Sequence, residues 1–229
     1  MSPRGRSARR ARRGLRTAPV VVRAPGRVNL IGEHTDYNGG YVLPTVLPRY
    51  TMVELDARGD DLVRVSSASL QGEPPAEYRL GEEIPIGDWT DYVRGLTWVL
   101  RDERRLTGFD AAVASDVPIG RGLASSAALT VALARALRQR FALRMDDLEL
   151  ARHAQRVEND FVGAQVGIMD PLVSSLGRPG EALFVDTLEL VVRSLPIPAA
   201  IDLVIVDSGS GHQHATGEYN RRRLECEAA

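Results

Sequence analysis

Three short stretches of this chain concentrate the residue types that chemistry needs. The first is Arg27-Val28-Asn29-Leu30-Ile31-Gly32-Glu33-His34-Thr35-Asp36-Tyr37-Asn38, in which polar side chains crowd a loop between apolar segments. Each hydroxyl of a neutral sugar is both donor and acceptor, so carboxylates, Asn and His suit it, and Glu33, His34 and Asp36 fit that task. A solvated turn is the plainer alternative; it accounts for Asn38-Gly39-Gly40 well and for Arg27–Asp36 poorly. The second stretch is Asp116-Val-Pro-Ile-Gly120-Arg-Gly122-Leu-Ala-Ser125-Ser126-Ala127-Ala128. Glycines let backbone N–H groups approach an anion closely, and a following helix start adds unpaired donors and partial positive charge. The product is a phosphate cradle that needs no lysine. Ser125 or Ser126 would cap the helix, bind a phosphate or ligate Mg²⁺; an ordinary Gly turn with a Ser N-cap fits the same residues. The third is Glu158-Asn159-Asp160 followed by Gly167-Ile168-Met169-Asp170-Pro171. Here Glu158 ends a helix, and Asp170 before Pro171 reads as an N-cap with proline in the first helical position, which aims a carboxylate at a helix start.

The elements that must carry these stretches follow from periodicity. Residues 19–24 read as a strand and 25–48 as a loop with short extended pieces. Tyr50–Ala57, Leu62–Ser67, Glu77–Leu80 and Phe109–Ser115 read as strands. Between them Asp88 to about Leu106 is helical, with Trp89, Val93, Leu96 and Leu100 on one apolar stripe that belongs to the core. Asp116–Ala124 leads into an Ala/Leu helix over about 125–141. A second helix covers about 146–161, with Leu148, Ala151, Ala154 and Val157 on one face. Residues 181–187, 190–195 and 201–207 are expected strands, and Thr216 onward is helical. Strand hairpins come first and helices after, which points to α+β architecture rather than a doubly wound sheet.

Composition narrows the function. The chain has 229 residues, 44% hydrophobic, enough for one good core or a core plus a small second lobe. A single cysteine, Cys226, excludes an internal disulfide and a Cys-rich zinc site, and suits a reducing, cytoplasmic compartment. No apolar run reaches the roughly 18 residues of a membrane helix. Seven arginines and no acids fall in the first sixteen residues; the remainder carries 22 arginines against 30 acids. The body is therefore acidic, which argues against a nucleic-acid partner held by phosphate contacts. Residues 1–17 are expected to be a disordered Arg-rich tail. All 29 basic residues are arginine. Without lysine, the P-loop NTPases, the protein kinases and the Schiff-base enzymes are excluded. His212-x-His214 reads as a surface pair rather than a metal site, and Cys226 as a helix thiol.

Taken together, the three stretches resemble the galactokinases of the GHMP small-molecule kinase superfamily. Arg27–Asn38 is similar to the galactokinase signature and Gly120–Ala127 to the superfamily phosphate loop. Gly167-Ile168-Met169-Asp170 and Glu218-Tyr219-Asn220-x-Arg222-Arg223-x-x-Cys226-Glu227 resemble further stretches of that family. The resemblance covers residues 19–229 and implies the two-layer α+β fold of the GHMP kinase N-terminal domain, like domain 2 of ribosomal protein S5. By position it implies a catalytic Asp170, which orients or deprotonates the sugar C1 hydroxyl, and a catalytic Arg27 beside it, which keeps that carboxylate ionised and offsets charge on the moving phosphoryl. It implies galactose contacts at Glu33, His34, Asp36, the Gly167 backbone and Tyr219, and Mg²⁺ ligands at Ser126 and Glu158. ATP phosphates would lie along Gly120, Gly122, Leu123, Ser125 and Ser126. The expected ligands are galactose, ATP and Mg²⁺, with neither nucleic acid nor membrane as partner. Other expectations stay open: a related GHMP kinase acting on N-acetylgalactosamine or arabinose, or a sugar- or nucleotide-binding chain without catalysis. Pro171 stands where galactokinases usually have Gln, and Ala124 where they usually have Ser. The resemblance implies a lobe over 18–209 and, over 210–229, the start of a further domain.

Overall fold

The structure, a computed structural model, describes residues 18–69, 74–103, 105–209 and 215–228, with side chains left out for 215–219. The Arg-rich tail over 1–17 and the pair His212 and His214 lie outside the described residues. Eight strands form one sheet: β1 (Val20–Asn29), β2 (Tyr41–Val42), β3 (Pro44–Ala57), β4 (Leu62–Ser67), β5 (Ala76–Arg79), β6 (Phe109–Ser115), β7 (Glu181–Asp186) and β8 (Val191–Pro196). The order is β2-β7-β3-β6-β4-β5, with β1 paired to β3 and β8 to β7; β4 and β6 run parallel and the other pairs antiparallel. Along β3, Thr51, Val53 and Leu55 are buried while Met52 and Glu54 face solvent, the two-residue period of a sheet with one wet face.

Helices α1 (Asp91–Val99), α2 (Ser125–Phe141), α3 (Asp147–Arg156) and α4 (Met169–Leu176) cover the other face, and α5 (Ala215–Glu227) follows, bonded to the backbone of residues 163–165 through Asn220 and Arg223. The main core joins α1, α2 and α3 to β1, β3, β4 and β6 around Leu55, Leu96, Phe109, Leu133, Leu137 and Leu150. Each such fully buried side chain contributes roughly 2 kcal/mol by removal from water. A smaller cluster packs α4 onto β2 and β7 through Val42, Leu172, Val173, Leu183 and Val185. The helix α2 is lined with fully buried alanines, which lets it lie close across β1 and β3. This is the two-layer α+β arrangement expected.

Several boundaries differ from expectation, for physical reasons. The segment 25–48 is largely strand, because β1 continues through a bulge between Pro25 and Arg27 and β3 begins at Pro44. Helix α1 is shorter than 88–106. Asp88 accepts from the Thr90 N–H and Asp91 from the N–H groups of Ile86 and Gly87, so 88–90 is a turn, and the helix closes at Leu100. The second long helix divides into α3 and a π-helical turn, Val157–Val162. Asp146 and Glu149 form a reciprocal capping box at its start. Residues 201–207 have strand composition but no regular structure, with Val204 and Val206 exposed: a strand needs a ladder partner, and none pairs with them among the described residues.

Candidate active site

Strand β1 delivers Arg27 through its bulge. A Cβ at Gly26 would stand 2.8 Å from the Leu123 carbonyl and 2.9 Å from Val117, so glycine is what lets β1 touch the loop before α2. The Arg27 N–H then donates to the Leu123 carbonyl at 3.1 Å. Its side chain does more. Nε donates to Asp170 Oδ1 at 2.6 Å and one terminal nitrogen to Oδ2 at 2.5 Å, while the other donates to the Gly122 carbonyl at 2.6 Å. One planar guanidinium thus ties the first and third stretches together and anchors the second. Asp170 is not the N-cap expected. Ile168 occupies that position, Asp170 is the second residue of α4 and Pro171 the third, still inside the turn whose N–H groups lack intrahelical partners.

The loop expected to meet the sugar (the sugar loop, residues 30–40) is held from within. Thr35 Oγ1 donates to the carbonyls of Gly32 and Tyr41, both at 2.8 Å, and Asn38 donates to the His34 carbonyl at 2.8 Å. Asn29 donates to Glu33 at 3.0 Å, and His34 Nδ1 lies 2.7 Å from the Tyr37 hydroxyl. His34 takes the left-handed conformation at φ 61°. Asp36 reaches the backbone of α4's start. A Cβ on Gly167 would fall 2.0 Å from Asp36 Oδ2, so only glycine permits that approach. Burial and the neighbouring Asp170 carboxylate push the Asp36 carboxyl up, while the Met169 N–H opposes them. The backbone helix containing Tyr219 is present, but its side chain lies outside the description.

Residues 116–124 form an open loop. Gly120 and Gly122 have φ of 69° and 67°, with open space where a Cβ would stand. Neither Ser125 nor Ser126 caps α2. The N-cap is Ala124, left-handed at φ 59° and making no side-chain cap, which leaves the first-turn N–H groups of α2 unspent. Ser126 instead turns to Glu158, donating to Oε1 at 3.1 Å. Glu158 sits in the π-helical turn, a feature frequent at functional sites. It is 5% exposed, and burial together with the Asp170 charge pushes its carboxyl up to about 7. The hydroxyl of Tyr92 contacts Ser126 and is pushed up to about 12 by burial and by Glu158.

The geometry therefore brings together Arg27, Asp170, Gly122, Leu123, Ser126 and Glu158 on one side and Glu33, His34, Asp36 and Gly167 on the other. Sequence reasoning missed the supports: Asn29, Tyr37, Tyr92, and the carboxamides of Asn159 and Asn220. The last two bond the backbone of residues 163–166, fixing the segment before Gly167. A carboxamide or hydroxyl that acts across the fold leaves no spacing signal. Asn29, four residues before Glu33, and Tyr37, three after His34, were legible in principle.

Comparison with known proteins gives a consistent picture. Residues 91–178 match the GHMP kinases N-terminal domain, and residues 13–56 match the galactokinase galactose-binding signature. Over 210 residues the chain is 46% identical to a galactokinase of Streptomyces coelicolor, covering 89% of this chain and 54% of the relative. A galactokinase of Roseiflexus sp. is also 46% identical, over 92% of this chain and 54% of its own length. The chain thus spans about half the length of the curated relatives it matches. The crystal structure of Lactococcus lactis galactokinase complexed with galactose superposes with a TM-score of 0.77 at 29% identity, over 90% of this chain and 55% of that one. Methanococcus jannaschii mevalonate kinase, 20% identical with a TM-score of 0.65 over 78% of this chain and 56% of its own, shares the fold.

Proposed function

We propose that this chain, which carries the fold and the sequence of a GHMP kinase N-terminal domain, is the galactose- and nucleotide-binding part of a galactokinase. The reaction is transfer of the ATP γ-phosphoryl group to the C1 hydroxyl of D-galactose, giving galactose 1-phosphate and ADP, as a step of galactose metabolism. The observation that carries this reading is Arg27, whose one guanidinium grips both oxygens of Asp170 and the Gly122 carbonyl of the phosphate loop.

In this reading Glu33, His34, Asp36, the Gly167 backbone and Tyr219 bind the sugar hydroxyls. Asp170, fixed in orientation by Arg27, accepts the C1 hydroxyl proton as the sugar oxygen bonds to the γ-phosphorus and the bond to the ADP oxygen breaks. Phosphoryl transfer depends chiefly on alignment and charge stabilisation. The backbone N–H groups of Gly120, Gly122, Leu123, Ser125 and Ser126 cradle the phosphates, and Arg27 offsets charge that develops in transit.

Ser126 and Glu158 suit Mg²⁺. They are hard oxygen donors 3.1 Å apart, and a carboxylate buried as deeply as Glu158 gains from a cation. Among the described residues no cluster of three or more acidic, His or Cys side chains would hold a metal alone, which fits an ion shared with substrate phosphates. Bound there, the ion would neutralise phosphate charge. No described helix is long and apolar enough to cross a membrane, and with one cysteine a cytoplasmic site is the compartment we propose. We also assign residues 18–209 to the binding lobe and 210–229 to the start of a further unit.

The test is ADP release by the purified chain with Mg·ATP and a panel of galactose, N-acetylgalactosamine and arabinose. Galactose-dependent release, reduced at least 1,000-fold by Asp170→Asn (about 4 kcal/mol of transition-state stabilisation), supports the reading. Galactose that neither binds nor turns over refutes it.

A further inference from the structure

A cavity of about 550 Å³ lies against the sugar loop; Asp36 and Gly167 of the proposed sugar contacts line it, whereas Arg27, Glu33, His34 and Asp170 do not. That volume is in the range of small-molecule pockets. Two of its arginines, Arg152 and Arg156, stand one turn apart on α3, and a third, Arg223, comes from α5. Its apolar lining includes Leu188 and Leu190, from the turn between β7 and β8.

The three guanidinium groups are unequally engaged. Arg152 has no hydrogen bond or ion pair among the described residues. Arg156 has one long contact, 3.5 Å to Asp160, with both side chains about half exposed (50% and 48%). Such a pair is worth little in water. Arg223 pairs with Glu227 at 2.9 Å and donates to the Gln165 carbonyl at 3.1 Å. The carboxamides of Gln155 and Asn159 are spent on the Val166 backbone, so they shape the wall rather than offer donors. One carboxylate, Asp36, also lines the cavity, turned against Gly167. The cavity therefore carries three positive charges against one negative, with donor capacity left over on Arg152 and Arg156.

Guanidinium forks match the oxygens of a phosphate dianion, and Leu188 and Leu190 would meet apolar parts of its organic body. We propose that this cavity binds a small phosphomonoester through Arg152, Arg156 and Arg223. The site is separate from the phosphate loop at Gly120–Ser126. It also touches the sugar loop: the Arg223 guanidinium lies 5.8 Å from the centre of the Tyr37 ring, and Tyr37 holds His34. A bound phosphomonoester thus meets the same residues that position the sugar contacts.

Calorimetric titration of the whole chain with inorganic phosphate and with glucose 6-phosphate, each in the presence and absence of saturating Mg·ADP, tests this. The expected result is glucose 6-phosphate binding with Kd below about 1 mM, tighter than inorganic phosphate and unaltered by Mg·ADP. The double variant Arg152→Gln/Arg156→Gln should weaken it at least tenfold. Arg223→Gln, on α5 rather than α3, should weaken it severalfold, which keeps the test decisive should the double variant fold poorly. Loss of binding in Mg·ADP would assign the anion to the phosphate loop. That outcome overturns the proposal, as do unchanged affinity in the variants, no heat with either probe, or binding of inorganic phosphate alone. None of these outcomes bears on galactose turnover, so the two readings fail separately.

Discussion

Residues 29–41 are tied to one another by Thr35, Asn38, Asn29 and the His34–Tyr37 contact, five hydrogen bonds made by side chains of the loop itself. Residues 118–124 are held from outside: Arg27 takes the carbonyls of Gly122 and Leu123, and Arg121 reaches Asp207 at 3.3 Å. One loop spends its polar groups internally and stands ready in shape. In the other, the N–H groups of the glycines and of the α2 start have no partner among the described residues. The difference suits the two ligands proposed. A neutral sugar is discriminated by the placement of fixed donors and acceptors, whereas a polyanion is captured by backbone N–H groups that have no other partner. Arg27, two residues before the first of these loops, bonds both Asp170 and the second loop, so the account stands or falls on it.

That comparison can be broken most forcefully at the shared residue. Arg27→Lys keeps the charge and loses the fork; galactose-dependent turnover should fall at least 100-fold (about 2.7 kcal/mol) while the melting temperature shifts little, read by steady-state kinetics alongside a thermal scan. Next comes the preformed loop. Gly167→Ala forces a Cβ onto Asp36, and should raise KM for galactose some 10- to 30-fold with KM for ATP unchanged. Equal effects on both substrates would mean that the loops are not separate in function.

Glu158 sharpens the other side. Its carboxyl titrates near 7 in the folded chain against 4.5 unfolded, so the native state binds the proton more tightly. Stability from this group is complete below pH 4.5 and falls as pH rises to 7, by up to roughly 3 kcal/mol. Asp36, also pushed up, adds a slope of the same sign. Denaturant melts at pH 5 and pH 8 should show the loss, and Glu158→Gln should flatten it. The same variant should weaken Mg·ATP binding about tenfold at pH 8 and less at pH 6, where Glu158 is already protonated. The smallest effect belongs to Ala124, a non-glycine residue in the left-handed region. Ala124→Gly should stabilise the chain by about 1 kcal/mol, seen in the same melts.

Much of this fold was legible where one signal dominated. Phe109–Ser115 alternates and ends before Asp116, and Ser125–Phe141 is alanine-rich with arginines in its last turn, so both were read with their observed bounds. The segment 25–48 was not, because its Gly, Asn, His and Asp read as a loop, whereas β1 runs on through a bulge and β3 starts at Pro44. Residues 201–207 failed in the opposite sense, since composition cannot supply a pairing partner. At the candidate site, the residues proposed to contact ligands lie, Tyr219 apart, in three compact stretches and could be picked out. Their supports could not: nothing local links Tyr92 to Ser126, or Asn220 to Gly163. The caps were misread as well, because Ser125 and Asp170 have cap chemistry but sit inside their helices, at the first and second positions.

The most direct measurement is ³¹P NMR of the reaction of this chain with D-galactose and Mg·ATP. The account predicts growth of a phosphomonoester resonance coupled to the anomeric proton, equal to the ADP formed and absent with Asp170→Asn. Galactose and nucleotide both bound with no such resonance, or a phosphate on any other hydroxyl, would contradict the claim that Arg27 and Asp170 bring the two loops to bear on C1.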